Sequence, residues 1–260
     1  MLAQWLEKTR VERVEVLDPR LLDEGVKPAA VVRALEGRRF TAIERRGKWL
    51  RLQLDHERVF SHLGMTGKWE VAKVGDEPLR FEKVRFDVVK GRARRSVRYT
   101  DPRLFGRFVV VGEHDEDLAV WSALGPDPLV DGIDVKALHE RLARRRLPIK
   151  TTLLDQTVLA GVGNIQATEA LYHARIDPRR PARSLSRAEV SALARSIKRS
   201  IAKTLKLQEG PVITYVEEAG AVNPFLIYGN EGTPCPRCGS PLAKMVLGGR
   251  GTVFCASCQK

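Results

Sequence analysis

Four cysteines near the carboxyl end of the sequence have the spacing of a metal site. Cys235-Pro-Arg-Cys238 is followed, after sixteen residues, by Cys255-Ala-Ser-Cys258. Each pair bends the chain through one turn, and two such pairs complete a tetrahedral set of four thiolates that suits one structural Zn²⁺ ion. The segment is too small for a core of its own, so metal binding would supply its folding free energy. Redox-active or unpaired thiols are the alternative interpretation.

A second candidate site is the turn Gly161-Val-Gly-Asn164, which lies between two helical patterns. The second helix is predicted to begin near Asn164. Backbone amides at the start of a helix favour an anion, and the Asn164 side chain can add a donor. The turn therefore suits a phosphate group, and a plain interhelical turn with Asn164 as its cap is the alternative.

The predicted secondary structure changes along the chain from strands to helices. Residues 1–110 read mainly as short alternating strands after one helix, which predicts an antiparallel sandwich or barrel. The acidic stretch at residues 112–117 is the best linker candidate. Helical periodicity follows over residues 120–225, with Asp134 as a predicted helix cap and Ser186 and Glu189 as a predicted capping box.

Charge and hydropathy narrow the class of partner. The chain has 45 Lys and Arg against 32 Asp and Glu, a net charge of +13, which favours a nucleic acid over acidic membranes or acidic proteins. No apolar run is long enough to span a membrane, and the start does not have the pattern of a signal peptide. We therefore expect a cytoplasmic protein without a membrane partner. A nucleotide cofactor is not expected, because no glycine loop precedes Lys-Ser or Lys-Thr.

Six ordered motifs carry a resemblance over about residues 11–260. They are Arg46-Gly-Lys48, His62-Leu-Gly-Met-Thr-Gly67, Tyr99-Thr-Asp-Pro-Arg-Leu-Phe-Gly106, Leu124-Gly-Pro-Asp-Pro-Leu129, Gly161-Val-Gly-Asn164 and the cysteine module ending at Lys260. In this order they resemble the formamidopyrimidine-DNA glycosylase/endonuclease VIII family, whose helix-two-turn-helix motif matches the Gly161–Asn164 turn.

The resemblance implies an α+β multidomain fold with three parts. These are an N-terminal antiparallel β-sandwich over residues 1–115, a helical helix-two-turn-helix domain over 116–228, and a C-terminal zinc-ribbon β-hairpin over 229–260. The implied function is base excision repair of oxidised bases by a bifunctional glycosylase and abasic-site lyase. The implied partner is double-stranded DNA with a damaged base or abasic site. The family also implies a monomer that is bacterial, cytoplasmic and nucleoid-associated.

Matched positions imply roles for individual side chains. Enzymes of this class act on a nucleotide flipped out of the duplex, which leaves a space to fill. By resemblance, Met65, Arg103 and Phe105 fill that space. Residues at the phosphate-binding positions are Lys48, His62, Asn164 and Arg250, and Lys48 also matches a lysine that orients the reacting groups. Core packing is the alternative for Met65 and Phe105.

The first residues depart from the family pattern. Family members attack the sugar with the amine of an N-terminal proline, next to a glutamate acid, whereas this sequence begins Met-Leu-Ala-Gln. Alignment by Lys48 puts Met1 about ten residues inside the pattern. We expect a misassigned start, and the alternatives are a catalytically inactive damaged-DNA-binding paralogue or a substitute amine at Met1 or Lys48. A zinc-ribbon protein that binds RNA or ribosomes is a further alternative, but it leaves the space-filling set unexplained.

Two further segments have less specific interpretations. The loop that encloses the damaged base is expected within residues 210–228, which match the family poorly, so the preferred base stays open. The basic run from Arg141 through Arg144, Arg145 and Arg146 to Lys150 is expected to be a solvated face that attracts phosphates without a specific contact.

Overall fold

The computed structural model describes residues 1–207 and 222–260. The chain divides into two compact units, of which the first contains residues 1–122 and the second contains residues 123–207 together with 222–260. In these described parts, no helix has both the length and the apolar character that crossing a membrane requires.

The first unit is an antiparallel β-sandwich, as predicted. Its strands are β1 Arg10–Val16, β2 Phe40–Arg46, β3 Trp49–Leu54, β4 Arg58–His62, β5 Lys68–Ala72, β6 Glu82–Lys90, β7 Ala93–Thr100 and β8 Arg107–Val111. One sheet has the order β1-β6-β7-β5 and the other has the order β2-β3-β4-β8, and every neighbouring pair is antiparallel. Three of the pairs, β2–β3, β3–β4 and β6–β7, join consecutive strands through short turns. The pairs β1–β6, β5–β7 and β4–β8 join strands that are distant in sequence, so the chain passes between the two sheets.

Alternation of side chains sends one face of each sheet into a shared core. In β3, for example, Leu52 and Leu54 are buried. Phe40 of one sheet meets Phe86 of the other edge to face, with ring centroids 5.6 Å apart. Three helices complete the unit, namely α1 Leu2–Leu6, α2 Pro28–Leu35 and α3 Ala119–Ser122. The ring of Trp121 in α3 packs against Phe60, so the acidic stretch before it stays with the sandwich.

The second unit begins with helices that pack around one apolar core. They are α4 Val135–Ala143, α5 Ile149–Leu154, α6 Asn164–Ala174 and α7 Arg187–Leu207. The predicted caps are present: the Asp134 carboxylate accepts the amides of Lys136 and Ala137, and Ser186 and Glu189 bond each other's backbone amides. Capped starts fix where α4 and α7 begin, and their apolar stripes then face the core.

A two-stranded hairpin and two cysteine turns end the second unit. Strands β9 Ala243–Leu247 and β10 Arg250–Phe254 pair antiparallel across Gly248 and Gly249. Both glycines have positive φ, of 55° and 71°, which a two-residue hairpin of this hand requires. The small core beneath the hairpin includes Tyr172 of α6 and two of the cysteines, so this segment packs on the helical part.

Candidate nucleic-acid interface and metal centre

The four cysteines predicted to bind metal converge on one point. Their sulfur atoms all lie within 4.8 Å of one another. The Cys238 and Cys255 sulfurs are 3.5 Å apart, and the Cys235 and Cys258 sulfurs are 4.0 Å apart. Ligands about 2.3 Å from a tetrahedral zinc ion lie about 3.8 Å from each other, so the geometry fits Zn²⁺. The cluster is a structural zinc site, and all four ligand positions come from protein.

Helix α6 supports the zinc site from behind. The Tyr172 hydroxyl lies 3.4 Å from the Cys235 sulfur, and burial is the main cause of the raised pKa of this phenol. The guanidinium of Arg237 stacks 4.5 Å over the Tyr172 ring and donates a hydrogen bond to the Tyr172 carbonyl. A phenol that keeps its proton can only donate to a thiolate, so Tyr172 stabilises the deprotonated form that binds metal. No spacing or motif in the sequence indicates this role of Tyr172.

The tip of the hairpin lies beside the start of α6. Asn164 begins that helix as predicted, and its side-chain amide donates a 3.2 Å hydrogen bond to the carbonyl of Gly251. Arg250, the preceding residue, is exposed. The side-chain oxygen of Asn164 is buried and has no hydrogen-bond partner. The structure thus brings Asn164 and Arg250 together within the second unit.

Lys150 corrects the expectation of a solvated basic run. Its side chain is fully buried, and its ammonium donates hydrogen bonds to the Gly251 carbonyl at 3.0 Å and to the Thr252 hydroxyl at 2.6 Å. Burial lowers the pKa of Lys150 to about 8. The next residue, Thr151, lies where a Cβ on Gly248 would come within 3.0 Å. Helix α5 therefore holds the hairpin tip in place, and no periodicity in the sequence revealed this role.

Two loops of the first unit meet backbone to backbone. A Cβ placed on Gly64 would lie 2.5 Å from the carbonyl carbon of Phe105, and Gly64 has a φ of +62°. The contact brings the loop that carries Met65 against the loop that carries Arg103 and Phe105. Met65 and Phe105 are 41% and 52% exposed, which excludes core packing for both, and the Arg103 guanidinium lies 4.5 Å over the Phe105 ring.

A buried carboxylate fixes both loops. Asp101 accepts hydrogen bonds from the Thr66 hydroxyl at 2.6 Å, from the Arg103 amide at 3.2 Å and from the Gly106 amide at 2.8 Å. These bonds satisfy a charge that would otherwise be costly to bury. Asp101 lies within the motif Tyr99–Gly106, but no pattern in the sequence indicates this role. The hydrogen bonds to Asp101 therefore fix the backbone of the loops that carry the exposed side chains of Met65, Arg103 and Phe105.

Lys48 lies in a turn and His62 at the end of a strand of the same unit. Lys48 is exposed in the turn between β2 and β3, and Trp49 pairs with His62 across β3 and β4. Burial lowers the pKa of His62, and the cations of Lys48 and Arg107 lower it further. The Gly64 amide donates a 3.0 Å hydrogen bond to Nδ1 of His62. The neutral ring therefore carries its proton on Nε2, where it can donate to an anion.

The predicted base-enclosing segment is described only in part. Residues 210–221 lie outside the described residues. In the remainder, the buried carboxylate of Glu169 in α6 accepts the amides of Leu226, Ile227 and Tyr228 at 2.9–3.0 Å. Glu169 is a further positioning residue that sequence analysis did not identify, because one acid in a helix has no distinctive pattern.

Family models match nearly the whole chain in three parts. The formamidopyrimidine-DNA glycosylase N-terminal domain matches residues 1–108, and the H2TH domain of the same enzymes matches residues 124–215. A zinc finger found in these glycosylases and in isoleucyl-tRNA synthetases matches residues 232–260. Their order agrees with the sandwich, the helical part and the cysteine module.

Solved structures share this architecture. A Lactococcus lactis Fpg in complex with DNA containing an abasic site superimposes with a TM-score of 0.84 at 30% identity, and the match covers 100% of this chain and 95% of the other. The same enzyme in complex with DNA containing Fapy-dG superimposes with a TM-score of 0.85 at 29% identity, over 100% of this chain and 96% of the other.

Relatives named formamidopyrimidine-DNA glycosylase match nearly the full length of this chain as well. Formamidopyrimidine-DNA glycosylase from Pseudomonas savastanoi pv. phaseolicola is 37% identical over 264 residues, which are 100% of this chain and 95% of the relative. The enzyme of that name from Geobacillus kaustophilus is 36% identical over 255 residues, or 96% of this chain and 92% of the relative. Because the similarity extends over nearly the whole length of this chain and of each relative, the protein belongs to the formamidopyrimidine-DNA glycosylase family.

Proposed function

We propose that the protein is a base excision repair enzyme that removes oxidised bases from duplex DNA and cleaves the abasic product through a Schiff base. The observation that carries the proposal is the loop pair on Asp101, which presents Met65, Arg103 and Phe105 to solvent on a fixed base. Exposed apolar side chains that are gathered at one place and held on a fixed base are typical of a binding surface. Solved relatives bound to abasic-site DNA and Fapy-dG DNA support the class of substrate.

The three exposed side chains suit the space left by a flipped nucleotide. Met65 supplies a flexible apolar wedge, and Phe105 supplies a flat face for stacking against a base. Arg103 is held over the Phe105 ring, from which its donors can reach the acceptors of an unpaired base. Filling the gap offsets the few kcal/mol lost when a base leaves the stack.

Phosphate binding falls to one group of residues on each unit. On the sandwich, Lys48 contributes a cation and His62 contributes the Nε2 proton of a neutral ring. In the second unit, Asn164 and Arg250 lie together at the hairpin tip. The side-chain nitrogen of Asn164 uses one of its two hydrogens on the Gly251 carbonyl, so the second can be donated to an anion. Lys48 is also the residue proposed to orient the reacting groups.

The proposed reaction needs an amine that attacks the sugar C1′ and a proton donor for the departing base. Attack expels the base and leaves an iminium between the amine and the opened sugar, from which elimination cleaves the strand. We place this activity in the bacterial cytoplasm at the nucleoid, where a monomer with this net charge meets duplex DNA.

Borohydride trapping tests the proposal. The chain is incubated with an abasic-site duplex and reductant, and an intact duplex serves as the control. We expect a covalent band with the abasic duplex alone, and peptide mapping then identifies the attacking amine. An Arg103→Ala variant should bind and trap less, whereas Arg92→Ala, on the β6–β7 turn, should behave as the parent protein. Tight binding without any adduct would contradict excision by this chain and indicate damage recognition alone.

A further inference from the structure

A basic cleft lies at the carboxyl end of α6, away from the helix start that carries Asn164. It is a cavity of about 480 Å³ whose lining includes His173, Arg175, Arg195, Arg199 and Arg237. A neighbouring cavity of about 190 Å³ shares His173 and Arg199 and continues to Lys203 and Phe225. Eleven residues of α6 separate the two ends of the helix by about 16 Å, so the cleft is distinct from the proposed phosphate contacts.

The lining of the larger cavity contains no Asp or Glu, and in the part of the chain that the structure describes Arg175, Arg195, Arg199 and Arg237 form no salt bridge. The zinc thiolates beside Arg237 offset part of the positive charge. Arg195 donates to the Ser191 hydroxyl, Arg237 donates to the Tyr172 carbonyl, and Lys203 donates to the Pro224 carbonyl. The Glu169 carboxylate lines the neighbouring cavity, where it accepts three backbone amides and offsets one positive charge, so the cations of the two cavities still outnumber it. Like charges gathered in one concave surface repel one another, so the arrangement favours an incoming anion.

The spacing of the cations indicates the shape of that anion. Arg195, Arg199 and Lys203 follow one another at four-residue intervals along α7, which places them about 6 Å apart on one face. Alternate side chains of an extended peptide lie about 6.6 Å apart on one side of the strand. An extended peptide with an acid at every second position therefore matches the row, and guanidinium groups bind carboxylates through two parallel hydrogen bonds.

Other anions fit less well. Proteins bind single-stranded nucleic acid through exposed aromatic side chains on which the bases stack. Phe225 is the one Phe, Tyr or Trp residue in the described lining of the two cavities, and it is buried, so it offers no face for stacking. A cavity of this volume accommodates a ligand of a few residues rather than the convex surface of a duplex.

We propose that this cleft, bounded by Arg175, Arg195, Arg199 and Arg237, is a docking site for an acidic, extended peptide segment of a partner protein. The site would allow the chain to hold a protein partner through one end of α6 while the other end faces DNA. It goes beyond the proposed repair activity and does not depend on it.

Fluorescence anisotropy with a labelled ten-residue peptide of alternating aspartate and serine tests the site, with full-length protein throughout. We expect binding that weakens as salt rises, and at least about tenfold weaker binding by Arg195→Glu and Arg199→Glu. Lys198→Glu is the matched control, because it makes the same charge change on α7 outside the lining of the cleft. It should weaken binding by less than about twofold.

Three outcomes would overturn the proposal. One is absence of peptide binding by a parent protein that still binds abasic-site DNA, and another is equal weakening by Lys198→Glu, which would reduce the effect to net charge. The third is tighter binding of a ten-nucleotide oligothymidylate that Arg199→Glu abolishes, which would assign the cleft to single-stranded DNA. Melting curves of each variant exclude unfolding as the cause of weaker peptide binding. Arg199→Glu and Lys198→Glu should bind the abasic duplex equally well, because both lie away from the proposed DNA contacts.

Discussion

His62 shows how one residue acquires its properties from its neighbours. A histidine in solution is half protonated near 6.5, but here burial and nearby cations hold the pKa lower, so the ring is neutral at physiological pH. The Gly64 amide selects which nitrogen keeps the proton. Phosphate binding by His62 would therefore depend on a directed hydrogen bond rather than on charge.

The lowered pKa predicts a pH dependence of stability. As pH falls, His62 is protonated near pH 6.5 in the unfolded chain but only at a lower pH in the folded chain. Protonation therefore favours the unfolded state, and the free energy of unfolding should fall as pH drops from about 6.5 through the lowered pKa. His62→Gln should make this part of the profile less steep in denaturant titration. The slope that remains should come from His173, whose pKa burial also lowers. Equal slopes for the parent and the His62 variant would refute the assignment.

Arg250 is expected to bind a DNA phosphate through the charge of its long, exposed side chain. We expect Arg250→Ala to weaken binding of abasic-site duplex about equally across sequences, and to lower the slope of log affinity against log salt by about 1, the value for one lost phosphate contact. Lys136→Ala, which removes the same charge from α4, should leave the slope almost unchanged. The measurement is a salt series by anisotropy, and an unchanged slope for Arg250→Ala would contradict phosphate binding.

At the scale of elements, close backbone contacts decide where the exposed side chains lie. The loop of Gly64 and the loop of Phe105 are too close to admit a Cβ, and Asp101 ties both to the end of β7. The hairpin tip is similarly tied to α5 by Lys150 and to α6 by Asn164. These ties fix irregular segments with the precision that a binding site needs.

Gly64→Ala tests the loop contact. The substitution adds a Cβ at positive φ and 2.5 Å from backbone, so we expect about 2–4 kcal/mol of destabilisation together with weaker abasic-DNA binding. Gly75→Ala is the control, because its φ of +89° is also positive but nothing lies within 4 Å of its added Cβ. It should cost only about 1 kcal/mol. Equal losses for the two variants would show that backbone conformation alone matters.

Tyr172→Phe tests the link between α6 and the metal centre. Loss of the hydroxyl removes the hydrogen bond to Cys235, so zinc affinity should fall about 10–100-fold in chelator competition. Tyr99→Phe also removes the phenolic hydroxyl of a buried tyrosine, but in the sandwich, and should leave zinc affinity unchanged. If both variants bind zinc as the parent does, the Tyr172 hydroxyl has no part in the metal site.

At the scale of the whole molecule, the two units have separate cores and different sources of stability. The sandwich depends on the apolar faces of two sheets, whereas the end of the second unit depends on four thiolates and a small cluster around Tyr172. Metal binding by such a segment is also folding free energy.

Chelation should therefore act on one part of the chain. We expect removal of zinc to abolish protection from hydrogen exchange in residues 232–260 and to leave the strands β1–β8 protected. Readdition of Zn²⁺ should restore the protection. Loss of protection throughout the sandwich, or none in the cysteine segment, would contradict this division.

Local patterns in the sequence were sufficient to predict much of the fold and the metal site. Two-residue alternation predicted the sandwich, the caps at Asp134 and Ser186 predicted where helices begin, and the cysteine spacing predicted the metal site, because each of these depends on residues that are close in the chain. The order of the six motifs was sufficient to predict the family and to select Met65, Arg103 and Phe105 as candidates for filling the space of a flipped nucleotide.

Tertiary structure decided the remainder. Lys150 is buried under the hairpin, although its neighbours in sequence indicated a solvated face, because its partners Gly251 and Thr252 are about a hundred residues away. Asp101, Glu169 and Tyr172 likewise depend on partners brought near only by folding, and the cleft of Arg175, Arg195, Arg199 and Arg237 combines two helices and a cysteine turn. Local patterns contain no information about such distant contacts, since packing alone selects which segments meet.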